Sequence, residues 1–103
     1  LIDFNQSAKE INNFVRGLNP WPIAFFKVND LKIKLFDIEY SEENITDKVG
    51  YVKIMAKNKL AIQTQKGVIF PKRLQLEGKN VMDIQAFMNG RGKLLFYDGQ
   101  ILK

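Results

Sequence analysis

The stretch Phe25-Phe26-Lys27-Val28-Asn29-Asp30-Leu31-Lys32-Ile33-Lys34-Leu35 decides the fold of this chain. Residues 23–28 are apolar and aromatic, as in a strand, and Asn29-Asp30 is a turn pair. After the turn, Leu31, Ile33 and Leu35 alternate with Lys32 and Lys34. This two-residue period is typical of a half-buried strand with a basic outer face. The stretch therefore predicts two strands joined by a tight turn.

Further strand patterns follow this stretch. Phe36, Ile38 and Tyr40 form the next apolar set, and their shifted phase predicts a bulge near Leu35–Phe36. A polar loop is expected at residues 41–48. Three more strands are expected at 49–56, 60–64 and 68–76, with turns between them. Pro71 indicates an edge strand or a bulge, because proline has no N–H to donate to a sheet.

Helical patterns flank the strands. Ser7 and Glu10 have the spacing of a capping box, and the apolar stripe that follows predicts a helix. Gly17, through a positive φ, and Pro20 are expected to end it. Trp21, between two prolines, is expected to pack against this helix. A short second helix capped by Asn80 and a last strand at 93–97 are predicted near the end.

Five or six short strands at close spacing predict a mainly β domain over residues 1–103. The preferred architecture is a small, partly open five-stranded β-barrel of the oligonucleotide/oligosaccharide-binding type. An N-terminal helix and a short C-terminal helix flank it. A small open sheet packed on two helices is the alternative, and the pattern does not give the strand order.

Composition restricts the possible functions. The chain has no cysteine and no histidine, which excludes disulfides, thiolate nucleophiles and Cys-ligated metals and removes the commonest general base. We therefore expect no catalytic residue and no metal site. No run of about 18 apolar residues exists, so no membrane helix is expected. The net charge of +5 favours a polyanionic partner, although many mildly basic proteins bind none.

Five segments together carry a family resemblance: residues 2–8, 11–22, 31–36, 74–82 and 87–90. The most specific are Arg-Gly-Leu-Asn-Pro-Trp-Pro at 16–22 and Gln-Leu-Glu-Gly-Lys at 75–79. In their order and spacing they resemble the C-terminal domain of methionyl-tRNA formyltransferases over nearly the whole chain. Two positions depart from the family. Ile23 stands where glycine is frequent, and Asn80 where a second basic residue is common.

The resemblance implies a function that composition and spacing do not. Such enzymes transfer a formyl group from 10-formyltetrahydrofolate to methionyl initiator tRNA. Their catalytic residues belong to an N-terminal Rossmann-like domain. The C-terminal barrel has no cofactor of its own and holds tRNA largely without reading sequence. The expected partners are therefore tRNA and the N-terminal catalytic domain of the same chain. The resemblance also implies a monomer in the bacterial cytoplasm, or else in an organelle.

Seven basic residues are candidates for phosphate contacts. Lys32 and Lys34 share an outward strand face, and Lys72 and Arg73 follow Pro71. The others lie in turns and near the end of the chain: Lys79, Arg91 and Lys93. Such contacts position a nucleic acid without reading its sequence. The alternative for each is a solvated surface charge. One of the adjacent Phe25 and Phe26 is expected in the core, and the other either at the surface or packed on the catalytic domain.

Two other functions remain open. Related C-terminal domains occur in formyltransferases that act on sugar nucleotides and in formyltetrahydrofolate dehydrogenases. The stretch 75–82 favours the tRNA enzyme over these. The domain could also be a purely structural module that packs on its catalytic partner, with an incidental positive charge.

Overall fold

A computed structural model describes residues 1–103 and shows six strands and three helices. The strands are β1 (Phe25–Val28), β2 (Leu31–Ser41), β3 (Val52–Met55), β4 (Lys59–Gln63), β5 (Val68–Leu76) and β6 (Met82–Asp83). The helices are α1 (Ala8–Leu18), α2 (Ile84–Phe87) and α3 (Lys93–Leu95). A 3₁₀ turn at Ala56–Asn58 joins β3 to β4, and a π-helical turn at Met88–Gly92 joins α2 to α3.

The strands form one curled, fully antiparallel sheet in the order β1-β2-β5-β4-β3, with β6 added to β5. Terminal segments cover both outer strands. The Ile2 N–H donates to the Phe25 carbonyl of β1 at 2.7 Å, and the Val52 N–H of β3 donates to the Gln100 carbonyl at 2.8 Å. The predicted mainly β fold, a partly open barrel with an N-terminal helix and a short C-terminal helix, is confirmed.

Two bulges bend the central pair of strands. Across β2 and β5, Leu35 pairs with Leu74, Asp37 with Arg73 and Ile38 with Pro71. Phe36 is therefore the extra residue on β2 and Lys72 the extra residue on β5. The bulge predicted near Leu35–Phe36 is confirmed.

Pro71 marks the second bulge and not a sheet edge, because β5 is a central strand. On β5, only Val68 and Ile69 pair with β4, and only Arg73 and Leu74 pair with β6. Pro71 occupies the interval between these two partners. Its missing N–H therefore interrupts no pairing on that side of β5.

The core fills the inside of the curl. The buried face of α1, with Ala8, Ile11 and Val15, packs on β2 and β5. Four aromatic rings cross the interior in the order Phe4–Phe26–Phe96–Phe87, with centroids 5.7, 6.3 and 6.2 Å apart. Every buried side-chain nitrogen and oxygen has a hydrogen-bond partner. No helix has the length and apolar character needed to cross a membrane.

The capping box is confirmed, but two expectations at the other end of α1 are wrong. Gly17 lies inside the helix, and the cap is an extended Asn19. Trp21 is 83% exposed instead of packing on α1. The Ile23 N–H donates to the Leu18 carbonyl at 2.9 Å and closes the loop between them. Leu18 and Ile23 therefore form the base of this loop, and Trp21 lies at its exposed tip.

Two expectations near the C-terminus are also wrong. Asp83, not Asn80, caps α2, and its carboxylate accepts from the Ala86 N–H at 2.8 Å. Residues 93–95 are helical instead of starting a strand, because the Phe96 N–H donates to the Gly92 carbonyl at 2.9 Å. This turn directs Phe96 into the core. The extended segment comes later, where Ile101 bridges to Tyr51.

Candidate nucleic-acid interface

Basic side chains gather on the outer surface of β1, β2 and β5. Lys32 and Lys34 alternate with the buried Ile33 and Leu35, so they project outward. Register aligns two rows across the strands. One row contains Phe25, Lys34 and Gln75, and the other contains Lys27 and Lys32. We call these five residues the outer basic face.

An aromatic ring fixes part of this face. The Lys32 ammonium lies 4.6 Å from the centroid of the Phe25 ring, a cation–π contact. Phe25 is half-buried, whereas Phe26 is fully buried, which confirms the prediction of one core and one surface aromatic. The Glu77 carboxylate accepts from the backbone N–H of Lys32 at 2.7 Å. The face therefore presents three lysines, and the acid beside it is already hydrogen-bonded to the backbone.

Acidic neighbours accompany Lys72 and Arg73. The Lys72 ammonium lies 3.2 Å from a Glu39 carboxylate oxygen. Arg73 pairs in register with Asp37 on one side and Asp83 on the other. Exposed ion pairs contribute little stability, but the adjacent acids reduce the attraction of these two cations for a phosphate.

Lys79 and Arg91 come together across a cleft of about 390 Å³. Leu76, Met82 and Phe87 form its apolar floor, and no acidic residue lines it. We call it the Lys79–Arg91 cleft. Gln75 joins it to the outer basic face, because its side-chain amide donates to the Lys79 carbonyl at 2.6 Å.

Lys93 stands apart from the other candidates. It is exposed in α3 and does not line the Lys79–Arg91 cleft. The seven predicted residues thus divide into the Lys32 and Lys34 pair, the acid-flanked Lys72 and Arg73, the cleft residues Lys79 and Arg91, and the separate Lys93. No group of three or more His, Cys, Asp or Glu residues is arranged to hold a metal ion.

Sequence reasoning missed three contributors to this surface. Lys27 lies directly opposite Lys32. It alternates with the apolar Phe26 and Val28 and is joined to β2 by the two-residue Asn29–Asp30 turn. This pattern was enough to predict that Lys27 points outward beside Lys32. Gln75 and Met82 were noted only as part of the family resemblance at 75–82, and no pattern in the sequence predicted their contacts. Their roles depend on where the 77–80 turn and α2 place Lys79 and Arg91.

Comparison with known proteins identifies the family. The family model described as "Formyl transferase, C-terminal domain" matches residues 1–92. The chain belongs to the formyl transferase C-terminal domain family. The resemblance in segments such as 16–22 and 75–79 is thereby confirmed.

Three relatives of this formyl transferase C-terminal domain carry the name methionyl-tRNA formyltransferase. The Rickettsia bellii protein is 44% identical over 89 residues, which cover 86% of this chain and 28% of the relative. The Streptococcus agalactiae protein is 39% identical and covers 91% of this chain and 30% of the relative. The Clostridium beijerinckii protein is 35% identical, and the match covers 86% of this chain and 29% of the relative. The chain thus spans less than a third of the length of these transferases.

Proposed function

We propose that this chain is the tRNA-binding domain of a methionyl-tRNA formyltransferase, and that it holds tRNA through phosphates while another domain catalyses formyl transfer. The names of the relatives support the choice of enzyme. The outer basic face carries the proposal. Lys27 and Lys32 are direct cross-strand partners, and like charges placed opposite each other destabilise a sheet. A phosphate bound between them offsets this repulsion.

The chemistry of the face suits a nucleic-acid backbone better than a base sequence. Lysine ammonium groups are mobile point charges on flexible stems, and they attract any phosphate within reach. Contacts of this kind fix the position of the nucleic acid and carry no sequence information. The domain therefore binds different tRNAs with similar affinity.

The remaining functions of the enzyme lie outside this chain. We assign the catalytic residues and the site for the formyl donor, 10-formyltetrahydrofolate, to an N-terminal domain of the same protein. This domain needs no cofactor of its own and acts as a monomer. The bacterial relatives favour the bacterial cytoplasm as the location.

The test is a fluorescence-anisotropy titration of the 103-residue chain with initiator tRNA, elongator tRNA and a DNA duplex at several salt concentrations. We expect similar affinities for both tRNAs and a steep loss with salt. Lys34→Ala should reduce the slope of log K against log salt by about 0.7 to 0.9, one phosphate contact. Lys9→Ala, an exposed lysine on α1, is the matched control.

Absence of tRNA binding at low salt would contradict the proposal and favour a module that only packs on its catalytic partner. Equal slopes for Lys34→Ala and Lys9→Ala would also count against the outer basic face. The full-length enzyme provides a second test, with methionyl-tRNA and an amino-sugar nucleotide as competing acceptors. Formylation of the sugar alone would assign the domain to the sister enzymes.

A further inference from the structure

We propose that the Lys79–Arg91 cleft holds one unpaired nucleotide of an RNA, with its base on the apolar floor and its phosphate between the two cations. This proposal rests on the proposed function for the identity of the polymer, and it adds a specific subsite to a surface that otherwise contacts only the backbone. The cleft's volume of about 390 Å³ falls within the range of small-molecule sites, about 300 to 1,000 Å³.

The floor of the cleft suits a flat, uncharged ring. Met82 is 40% exposed, whereas Phe87 and Leu76 also line the cleft but are almost fully buried. Unstacked bases bind to apolar and aromatic side chains of this kind, and a guanidinium plane such as that of Arg91 provides a further stacking surface. Base pairs inside a duplex cannot reach such a floor, so the cleft selects an unpaired nucleotide.

The rim of the cleft suits a phosphate. Lys79 and Arg91 are its only charged residues. In contrast, Lys72 is paired with Glu39. The two rim cations are therefore free to neutralise an anion, and the guanidinium of Arg91 can bind it in a bidentate manner.

Both walls of the cleft are held in place before any ligand binds. The turn that carries Lys79 is fixed by the Lys79 N–H, which donates to the Leu76 carbonyl at 2.9 Å, and by the Gln75 side chain. The π-helical turn that carries Arg91 packs closely against Phe87, since an added Cβ at Gly92 would lie 2.6 Å from a Phe87 ring carbon. The side chains of Asn58 and Asn89 hydrogen-bond and tie this turn to the β3–β4 hairpin. A site formed in advance loses less conformational entropy on binding.

The cleft also continues the outer basic face. Gln75 lies in register with Lys34 and donates to the carbonyl of Lys79. An RNA strand that follows the lysines of β2 therefore reaches the rim of the cleft directly. The outer basic face thus binds phosphates without sequence preference, and the Lys79–Arg91 cleft adds one site for a nucleotide that is not base-paired.

Methionine-methyl NMR tests the proposal, because the chain has three methionines in different places. Met82 is in the cleft, Met55 lines a separate cavity beside Lys59 and Lys72, and Met88 is buried. The unpaired trinucleotide r(AAA), a self-complementary RNA duplex and inorganic phosphate are the three probes. We expect r(AAA) alone to shift the Met82 methyl through the ring current of a base, while Met55 and Met88 stay in place.

Two neighbouring substitutions provide the matched pair. Met82→Ser should weaken r(AAA) binding about tenfold, the order expected for the loss of one base-stacking contact, and should leave duplex affinity unchanged. Val81→Ser should change neither, because Val81 has a similar exposed fraction, 36%, and does not line the cleft. Lys79→Ala and Arg91→Ala should weaken the binding of r(AAA) as well.

Three results would overturn the cleft assignment: a shift at Met55 instead of Met82, the same Met82 shift with duplex or phosphate as with r(AAA), or equal losses in Met82→Ser and Val81→Ser. None of these affects the salt-dependent tRNA titration, so the two proposals fail separately. If tRNA does not bind but r(AAA) shifts Met82, the proposed function falls and the nucleotide subsite stands.

Discussion

At the scale of single residues, Ile23 combines two opposing effects. It is buried, and its backbone φ is 70°, a left-handed conformation that β-branched residues rarely adopt. The family resemblance led us to expect glycine at this position, and glycine tolerates such a φ without steric cost. The buried side chain therefore contributes packing energy that is partly offset by backbone strain.

Substitutions at Ile23 should reverse the usual order of alanine and glycine. Ile23→Ala loses the buried side chain and keeps the left-handed strain, so it should cost about 2 to 5 kcal/mol. Ile23→Gly loses these contacts and those of Cβ, but it relieves about 1 kcal/mol of strain. We expect Ile23→Gly to be the more stable of the two in urea unfolding. A less stable glycine variant would show that the backbone at Ile23 is not strained.

Sequence reasoning was most accurate where a residue's environment is set by its near neighbours. The outward Lys32 and Lys34 follow from two-residue alternation, and the Ser7 cap follows from a three-residue spacing. Trp21 was misplaced because its exposure depends on the Leu18–Ile23 hydrogen bond, which no local pattern encodes. The Lys79–Arg91 cleft was not predicted as a site, because it requires residues 76–91 to fold back on themselves through β6 and the π-helical turn.

At the scale of elements, the start of α1 depends on a reciprocal cap. The Ser7 hydroxyl accepts from the Glu10 N–H at 3.1 Å, and the Glu10 carboxylate accepts from the Ser7 N–H at 2.9 Å. The hydrogen bond from the Ser7 backbone, followed by that from its side chain, lowers the pKa of Glu10 below its ordinary value of 4.5. The charged carboxylate is thus the form that stabilises the helix.

The stabilisation by Glu10 should depend on pH. A carboxyl group whose pKa is lowered by folding stabilises the native state above its unfolded pKa, and that contribution disappears as pH falls through the folded pKa. Glu10→Gln should therefore lower the melting temperature at pH 7, and the difference from wild type should shrink as pH falls below 4.5. Circular dichroism melts at a series of pH values measure this. A constant difference would mean that charge has no part in the cap.

The central β2–β5 pair shows a different limit of local patterns. The bulge at Phe36 was predictable because the apolar phase shifts on its own strand. The matching bulge at Lys72 was only one of two explanations for Pro71, since the choice depends on whether β5 has a neighbour on each side. Strand order is a property of the sheet and not of the strand, so it was decided only by the structure.

At the scale of the whole molecule, the aromatic chain joins the two ends of the sequence. Phe96, from beyond α3, contacts Phe26 of β1 and Phe87 of α2. The radius of gyration, 12.2 Å, is close to the value of about 13 Å expected for one compact domain of this length. We therefore expect the barrel and the C-terminal helices to unfold as one unit.

Phe96→Ala should destabilise the whole domain by about 3 to 5 kcal/mol, the typical cost of removing a buried phenylalanine side chain. That is a large part of the total of about 5 to 15 kcal/mol available to a domain. Denaturant unfolding followed by far-ultraviolet circular dichroism and by amide NMR should give one shared midpoint. If the helical and strand signals melted separately in this variant, the C-terminal helices would be an independent unit.

The covered outer strands have a consequence for the behaviour of the protein at high concentration. An uncovered strand offers its backbone N–H and C=O groups to any other chain and promotes aggregation. In this domain the C-terminal segment makes three backbone hydrogen bonds to this edge of the sheet. The Val52 N–H donates to the Gln100 carbonyl, and the Gly99 N–H donates to the Val52 carbonyl. The Leu102 N–H donates to the Gly50 carbonyl, just before β3. A chain that ends at Asp98 would keep the pairing of β3 with β4 but would leave the outer edge of β3 without these partners. It should form concentration-dependent oligomers in analytical ultracentrifugation while keeping most of its strand content. The last five residues therefore prevent the sheets of two molecules from pairing through this edge.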